Sequence, residues 1–214
     1  MARLIGIYGG TFDPIHLGHI NAAAEVQRKL GLDEVRMLLS AQPPHKNSPV
    51  LSALDRYHLL QLALKGRFAL QADDTEMQRP GPSYMVDTLL GIRGSIPEAR
   101  LILILGMEAF NGLMSWYRWE DLLKLAHIVI TDRAGFDNNM APILKGYAAS
   151  FLTDDKSQLE AATHGKIYHL AVQPVDISAT QIRQLIKDNR PVKQWLQDDC
   201  LKEIKRRRFY ASTN

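Results

Sequence analysis

Two histidines three positions apart, His16 and His19, close the run Gly9-Gly10-Thr11-Phe12-Asp13-Pro14-Ile15-His16-Leu17-Gly18-His19. The run follows an apolar segment and precedes a helical pattern, which is where α/β sheets hold ligands. Gly9 and Gly10 let a phosphate approach the backbone closely. The helix N-terminus beyond them presents free N–H groups and a partial positive charge. With the helix begun by His16, both rings share one face. They can then donate hydrogen bonds to phosphate oxygens as charge develops there. Gly18 leaves room for a substrate against the first turn. The same spacing also suits surface histidines or half of a metal site, but no third ligand stands at a helpful spacing. The run is neither a Walker loop nor Gly-x-Gly-x-x-Gly, so the usual NTPase and dinucleotide readings fail.

Far along the chain, Asp176-Ile177-Ser178-Ala179-Thr180-Gln181-Ile182-Arg183 offers a second set of phosphate-binding groups. Ser178 stands where an N-cap stands, with backbone donors beside its hydroxyl, and Arg183 supplies a planar fork. Alone, this stretch reads more readily as a capped surface helix with a solvated arginine. Three loops, Gln42 to Pro49, Arg79 to Ser83 and Gly106 to Tyr117, are richer in Gly, Pro or aromatic residues than a plain connection requires. Pro43-Pro44-His45-Lys46 is a stiff loop ending in a cation. Gly81 to Leu89 is a turn feeding a helix. Ser115-Trp116-Tyr117-Arg118-Trp119 sets aromatics beside Gly106. An indole such as Trp116 can stack on a flat ring, whereas Trp119 reads better as a core aromatic.

The elements that must position these residues alternate in type. Apolar runs at Arg3–Tyr8, Glu34–Ser40, Phe68–Ala72, Arg100–Leu105, His127–Thr131 and Lys166–Val172 are mostly continuous rather than alternating. That pattern suits strands of a parallel sheet buried on both faces. Helical patterns lie between them: Leu17 to Leu30, Ser52 to Lys65 with Ser52 as N-cap, Tyr84 to Ile92, and Trp119 to Ala126. The alternation predicts a right-handed βαβ series, a Rossmann-like doubly wound α/β sheet. After Val172 the pattern becomes helical. Ser178 to Lys187 is one helix, and Pro191 opens another with Val192, Trp195, Leu196, Cys200, Leu201 and Ile204 on its apolar side. The expected organisation is a core over residues 1–176 and a small helical section over 177–214 packed on it.

Composition narrows the classes. The chain has 214 residues, 46% hydrophobic and 23% charged, as in average globular proteins. A chain this long buries about 70% of its unfolded surface and needs no staples. The single cysteine, Cys200, permits neither an internal disulfide nor a cysteine-rich zinc site and suits a reducing cytoplasm. Apolar runs such as Leu101–Leu105 fall far short of the ~20 residues of a membrane helix. The early glycines at Gly9 and Gly10 argue against a secretory signal. Net charge is +3, and much of the excess sits between Lys202 and Arg208. Such a balance suits anionic small molecules and does not by itself indicate nucleic acid. A homo-oligomer remains compatible with the sequence.

Together, the first run and the Ser178–Arg183 stretch resemble the two signature motifs of the nucleotidylyltransferase superfamily, with Ala179 where the family pattern has a serine. The Pro43–Lys46, Gly81–Leu89 and Ser115–Trp119 segments, in this order, resemble the bacterial nicotinate-nucleotide adenylyltransferases, from about Arg3 to Tyr210. The resemblance implies adenylyl transfer from ATP to nicotinate mononucleotide. It implies ATP contacts from Gly9, Gly10, Thr11, Phe12, His16, His19, Gly106, Glu108, Ser178, Thr180 and Arg183, with His19 nearest the α-phosphate. Lys46 would neutralise charge between the substrates, so that His16, His19, Lys46 and Arg183 carry the reaction. Lys46, Thr88, Trp116, Tyr117 and Arg133 would bind the nicotinate nucleotide, its carboxylate meeting backbone N–H groups near Tyr117 and Thr88. Mg2+ would bridge the ATP phosphates without a dedicated protein cage. Two positions depart from the family: Glu108 replaces an Asp after Gly106, and Ala134 replaces a Pro after Arg133. A sibling transferase with another phosphate acceptor, or a nucleotide- or RNA-binding protein of the same fold, are the alternatives.

Overall fold

The computed structural model describes residues 2–44, 48–132, 140–173 and 175–211. Seven strands form one parallel sheet in the order β3-β2-β1-β4-β5-β7-β6. They are β1 (Leu4–Gly10), β2 (Glu34–Leu39), β3 (Leu70–Asp73), β4 (Arg100–Gly106), β5 (His127–Asp132), β6 (Leu152–Thr153) and β7 (Ile167–Ala171). The helices are α1 (Leu17–Leu30), α2 (Ala53–Leu64), α3 (Met85–Ser95), α4 (Met107–Asn111), α5 (Leu122–Leu125), α6 (Pro142–Ala149), α7 (Ser157–Ala161), α8 (Ala179–Lys187) and α9 (Asp198–Arg206).

The continuous apolar runs have the expected cause: both faces of the sheet are covered. Val35, Met37, Leu39, Ile102 and Ile104 face one layer, built from α1, α2, α8 and α9. Ile5, Ile7, Leu101, Leu103 and Leu105 alternate with them and face the other, built from α3 to α6. This is the doubly wound α/β architecture the strand–helix alternation predicts. Chain order reverses direction between β1 and β4, the adjacent central strands, so the ends of these two strands frame a crevice.

Several boundaries differ from the sequence reading. Phe68 is 94% exposed, and β3 begins only at Leu70. The two-residue β6 and the short α4, α6 and α7 lack enough periodic positions to register as patterns. Trp119 to Ala126 is a 3-10 turn at Trp119–Asp121 followed by α5. Pro191 does not open the last helix. A 3-10 turn at Lys193–Trp195 and an extended Leu196 come first, and α9 starts at Asp198 with two acidic residues in its first turn. Carboxylates there favour a helix start. The apolar positions Val192, Leu196, Cys200 and Ile204 are nonetheless all buried in the α1–α2 layer. The Cys200 thiol donates to Leu59 O at 3.0 Å, which joins α9 to α2. Among the described residues, no helix is long and apolar enough to cross a membrane.

Candidate active site

The chain leaves β1 at Gly9-Gly10, in the crevice between β1 and β4. His16 is the N-cap of α1, with extended backbone, and the helix proper begins at Leu17. The His16 Nδ1 accepts from Gly18 N at 3.1 Å, and His16 N donates to the His19 Nδ1 at 3.3 Å. This reciprocal cap stacks the rings, with centroids 3.7 Å apart and planes tilted by 33°. Because both Nδ1 atoms accept, each neutral ring carries its proton on Nε2. Burial lowers the His16 pKa to about 4, so this ring is neutral at pH 7. A pair of stacked imidazoles at a helix N-terminus is a set of donors suited to oxyanions.

Small residues shape this corner, partly for reasons the sequence did not reveal. A Cβ on Gly18 would lie 2.9 Å from both Cε1 and Nδ1 of His16. The glycine therefore makes room for the capping ring itself. A Cβ on Gly10 would lie 2.5 Å from the Phe12 ring, and one on Gly9 would lie 2.8 Å from the end of Met85. Phe12, expected to touch nucleotide, is buried. It packs into the core and meets His19 in a T-shaped contact, centroids 5.2 Å apart. Thr11 is half-buried at the rim.

The second motif arrives at the same corner. Ser178 caps α8, accepting from Gln181 N at 3.2 Å while Ser178 N donates to Gln181 Oε1 at 2.8 Å. Arg183 donates through Nη1 to Asp13 O at 2.7 Å and through Nη2 to Thr180 Oγ1 at 3.1 Å. One guanidinium thus ties the two motifs together across 170 residues of sequence. The chain entering α8 is held from α1: Gln173 N donates to Glu25 Oε2 at 2.8 Å and Lys29 Nζ to Ala171 O at 2.6 Å. The Lys29 ammonium keeps the Glu25 carboxyl below the ordinary carboxylate range.

Three residues that sequence reading missed organise this junction. Asp13 is buried; its Oδ2 accepts from Val50 N and its Oδ1 from the Tyr210 hydroxyl, both at 2.7 Å. Arg56 is 1% exposed and donates to four carbonyls: Thr11 at 2.7 Å, Ser40 at 2.8 Å, Ala41 at 3.0 Å and Leu51 at 3.2 Å. A charged residue inside the apolar stripe of α2 was the available signal for Arg56. Nothing local marks Tyr210.

The ring-binding side is assembled from α3 and the loop after α4. Gly106 caps α4 at the end of β4, and Glu108 is exposed in its first turn. Tyr117, half exposed, stacks on Tyr84 with centroids 4.5 Å apart and planes 33° apart. Trp116 is partly buried against the α3–α6 layer, while Trp119 packs edge-on to Tyr147 at 4.8 Å. Thr88 is buried, its hydroxyl given to Glu76 at 2.8 Å and its N–H to Tyr84 O at 3.3 Å. Its backbone donor is thereby spent inside α3. The N–H groups of Met85 and Val86, in the first turn, precede any intrahelical acceptor. The turn before α3 is fastened to the end of β2's loop: Ser83 N donates to Gln42 O at 2.9 Å, and Gln42 N to Ser83 Oγ at 3.0 Å. Lys46, Arg133 and Ala134 lie outside the described residues.

Comparison with known proteins agrees with this geometry. Residues 7–185 match the cytidylyltransferase-like family. A protein of Methylococcus capsulatus named "Probable nicotinate-nucleotide adenylyltransferase" is 44% identical over 97% of this chain and 100% of its own. One of the same name from Pseudomonas fluorescens is 39% identical over 100% of both chains. The structure titled "Plasmodium falciparum nicotinic acid mononucleotide adenylyltransferase complexed with NaAD" shares the fold with a TM-score of 0.74, at 17% identity over 97% of both chains. Full-length similarity, both motifs and their meeting at the β1–β4 crevice lead to one conclusion: the chain belongs to the cytidylyltransferase-like family and, within it, to the nicotinate-nucleotide adenylyltransferases.

Proposed function

We propose that the protein transfers the adenylyl group of ATP to nicotinate mononucleotide, producing nicotinate adenine dinucleotide and pyrophosphate in NAD synthesis. The observation that carries the reading is the Arg183 fork on Asp13 O and Thr180 Oγ1, which brings the second motif beside the stacked His16–His19 pair. A phosphate oxygen of the mononucleotide attacks the α-phosphorus of ATP, and the bond from that phosphorus to the α–β bridging oxygen breaks. The nucleophile is already largely ionised at pH 7, so no strong general base is required. The protein's task is to align two polyanions and to stabilise charge on the α-phosphate and the departing pyrophosphate.

His19 and His16 donate from Nε2 toward the α-phosphate region, and the neutral state of His16 keeps that donor oriented. Ser178, Thr180 and Arg183 take the outer phosphates. Gly9, Gly10 and Thr11 line the nucleotide side through their backbone, and Gly106 with Glu108 faces the ribose. Lys46 neutralises charge between the substrates, and Arg133 serves the mononucleotide. Mg2+ accompanying ATP would supply positive charge to the phosphates. Among the described residues, no three His, Cys, Asp or Glu side chains are grouped to hold an ion, and no step here runs through it. Trp116 stacks on the nicotinate ring. Because Thr88's own N–H is engaged, the first-turn donors of α3 and those near Tyr117 receive the carboxylate. Such donors match a carboxylate and meet an amide NH2 poorly, which disfavours nicotinamide mononucleotide. Soluble nucleotide substrates and a lone cysteine support a cytoplasmic location.

Part of the charge of the C-terminal basic stretch is taken up by ion pairs. Lys202 pairs with Asp199, Arg206 with Glu203, and Arg207 with both Asp55 and Glu203. The deciding experiment is pyrophosphate release with ATP and Mg2+, comparing the acid and amide mononucleotides. Strong turnover of the acid and weak turnover of the amide is the expected result. Equal turnover would remove the carboxylate argument. Turnover only of other phosphate acceptors, or with CTP, would move the protein to a sibling activity.

A further inference from the structure

The C-terminal turn ends in a contact that packing alone does not require. After α9, Arg208 and Tyr210 both adopt the left-handed region, with φ 54° and 63°, which side-chain-bearing residues disfavour. The turn returns Tyr210 to the β1 loop, where its hydroxyl donates to Asp13 Oδ1 at 2.7 Å. The other carboxylate oxygen of Asp13 holds Val50 N, and its backbone carbonyl holds Arg183 Nη1, both at 2.7 Å. The Asp13 carboxylate favours the charged form of Arg56, but the Arg56 donors go to Thr11, Ser40, Ala41 and Leu51. Asp13 therefore joins four parts of the chain, and it precedes the capping His16 by three residues.

We infer that Tyr210 is a positioning residue for the ATP phosphate site, acting through Asp13 on Arg183 and the His16 loop. The inference rests on the adenylyl-transfer reading for the identity of its substrate. Without the hydroxyl, a buried carboxylate oxygen loses its donor, which favours rotation of Asp13 or entry of water. Either change slackens the carbonyl that aims Arg183. The parts of the mononucleotide side built on α3 and the loop after α4 share none of these bonds; only the Val50 bond adjoins the segment that carries Lys46.

The test uses Tyr210→Phe, Asp13→Asn and the double variant in the full chain. KM for ATP, KM for nicotinate mononucleotide and melting temperature are measured for each, with calorimetric titration of ATP alone. Tyr210→Phe is expected to raise KM and Kd for ATP about tenfold while KM for the mononucleotide changes less than about twofold. The double variant should be no worse than Asp13→Asn alone, since both changes cut one path. Unchanged ATP affinity in Tyr210→Phe, equal losses for both substrates, or multiplicative effects in the double variant would overturn the inference. If Asp13→Asn does not fold, the split between the two substrates in Tyr210→Phe decides. Wild-type protein without turnover would defeat the functional reading, and the ATP titration would still judge Tyr210. Wild-type protein that does not bind ATP would defeat both.

Discussion

His19 is where a single side chain should matter most to the reaction. Its ring is oriented by the His16 N hydrogen bond and by a T-shaped contact with Phe12, so little reorganisation is needed when charge develops. His19→Ala should lower kcat by ~10²-fold or more, as for other oxyanion donors, with the fold retained by circular dichroism. A near-normal kcat would remove His19 from the mechanism. The buried histidines also set a pH dependence of stability. His16 and His127 both have pKa values lowered by burial, His16 to about 4. Their folded values lie below the unfolded value, so the unfolded chain takes up protons first as pH falls. The stability they contribute is complete above about pH 6.5 and declines toward about pH 4. Melting temperature should be level from about pH 7 to 8 and fall below about 6.5. Replacing His127 with Gln should flatten part of that fall. His127 links Ala162 O at 3.0 Å to Lys166 N at 3.1 Å, so its protonation would break the second of these bonds.

The important elements here are helix starts. α1 and α8 both begin with reciprocal caps, and both caps are made by residues expected to bind phosphate. The residues that start each helix are those proposed to meet the ligand: the α1 cap uses the His16 Nδ1 as acceptor and so leaves Nε2 as the donor, which couples cap geometry to binding geometry. Gly18→Ala tests this coupling. Its Cβ would press on the His16 ring at 2.9 Å and displace the Nδ1 that caps Gly18 N. The expected loss is about tenfold or more in kcat, since small displacements of aligned groups are costly. Stability should fall by only about 1 kcal/mol, the size of a lost cap. Steady-state kinetics with a urea titration separates the two. A large loss of stability with normal kcat would show that the cap serves folding alone.

Across the whole molecule, the loops around the crevice are held by buried charge as well as by apolar contacts such as those of Phe12 and Ile15. Arg56 bridges the β1 loop, the end of β2 and the approach to α2 with four donated bonds. An ammonium is a point donor and cannot span that set. Arg56→Lys should therefore destabilise the protein by about 2–3 kcal/mol, because buried carbonyls are left without partners. It should also weaken ATP binding, since Thr11 leaves its place. Urea unfolding with an ATP titration checks both. A variant as stable as the parent would mean that water replaces the guanidinium at no cost.

The order of strands and helices was legible because burial on both sheet faces writes continuous apolar runs, and helices between them write a 3.6-residue period. The bounds of α1, from Leu17 to Leu30, follow directly from that period and its caps. The Gly9–His19 and Ser178–Arg183 motifs were legible too, because local chemistry at a helix start is a matter of a few adjacent residues. Tertiary structure alone decided how they join. Asp13 reads locally as part of a turn, Tyr210 as a surface aromatic beyond a basic helix, and Arg56 as one charge on a helix. Their hydrogen bonds connect positions 37 and 197 residues apart for Asp13 with Val50 and Tyr210, and 45 apart for Arg56 with Thr11. Thr88 shows the same limit, since only packing reveals that its donors are turned to Glu76 and Tyr84. Periodicity and motif report what a segment is built to present. Which donor remains for a ligand depends on what the rest of the chain brings against it.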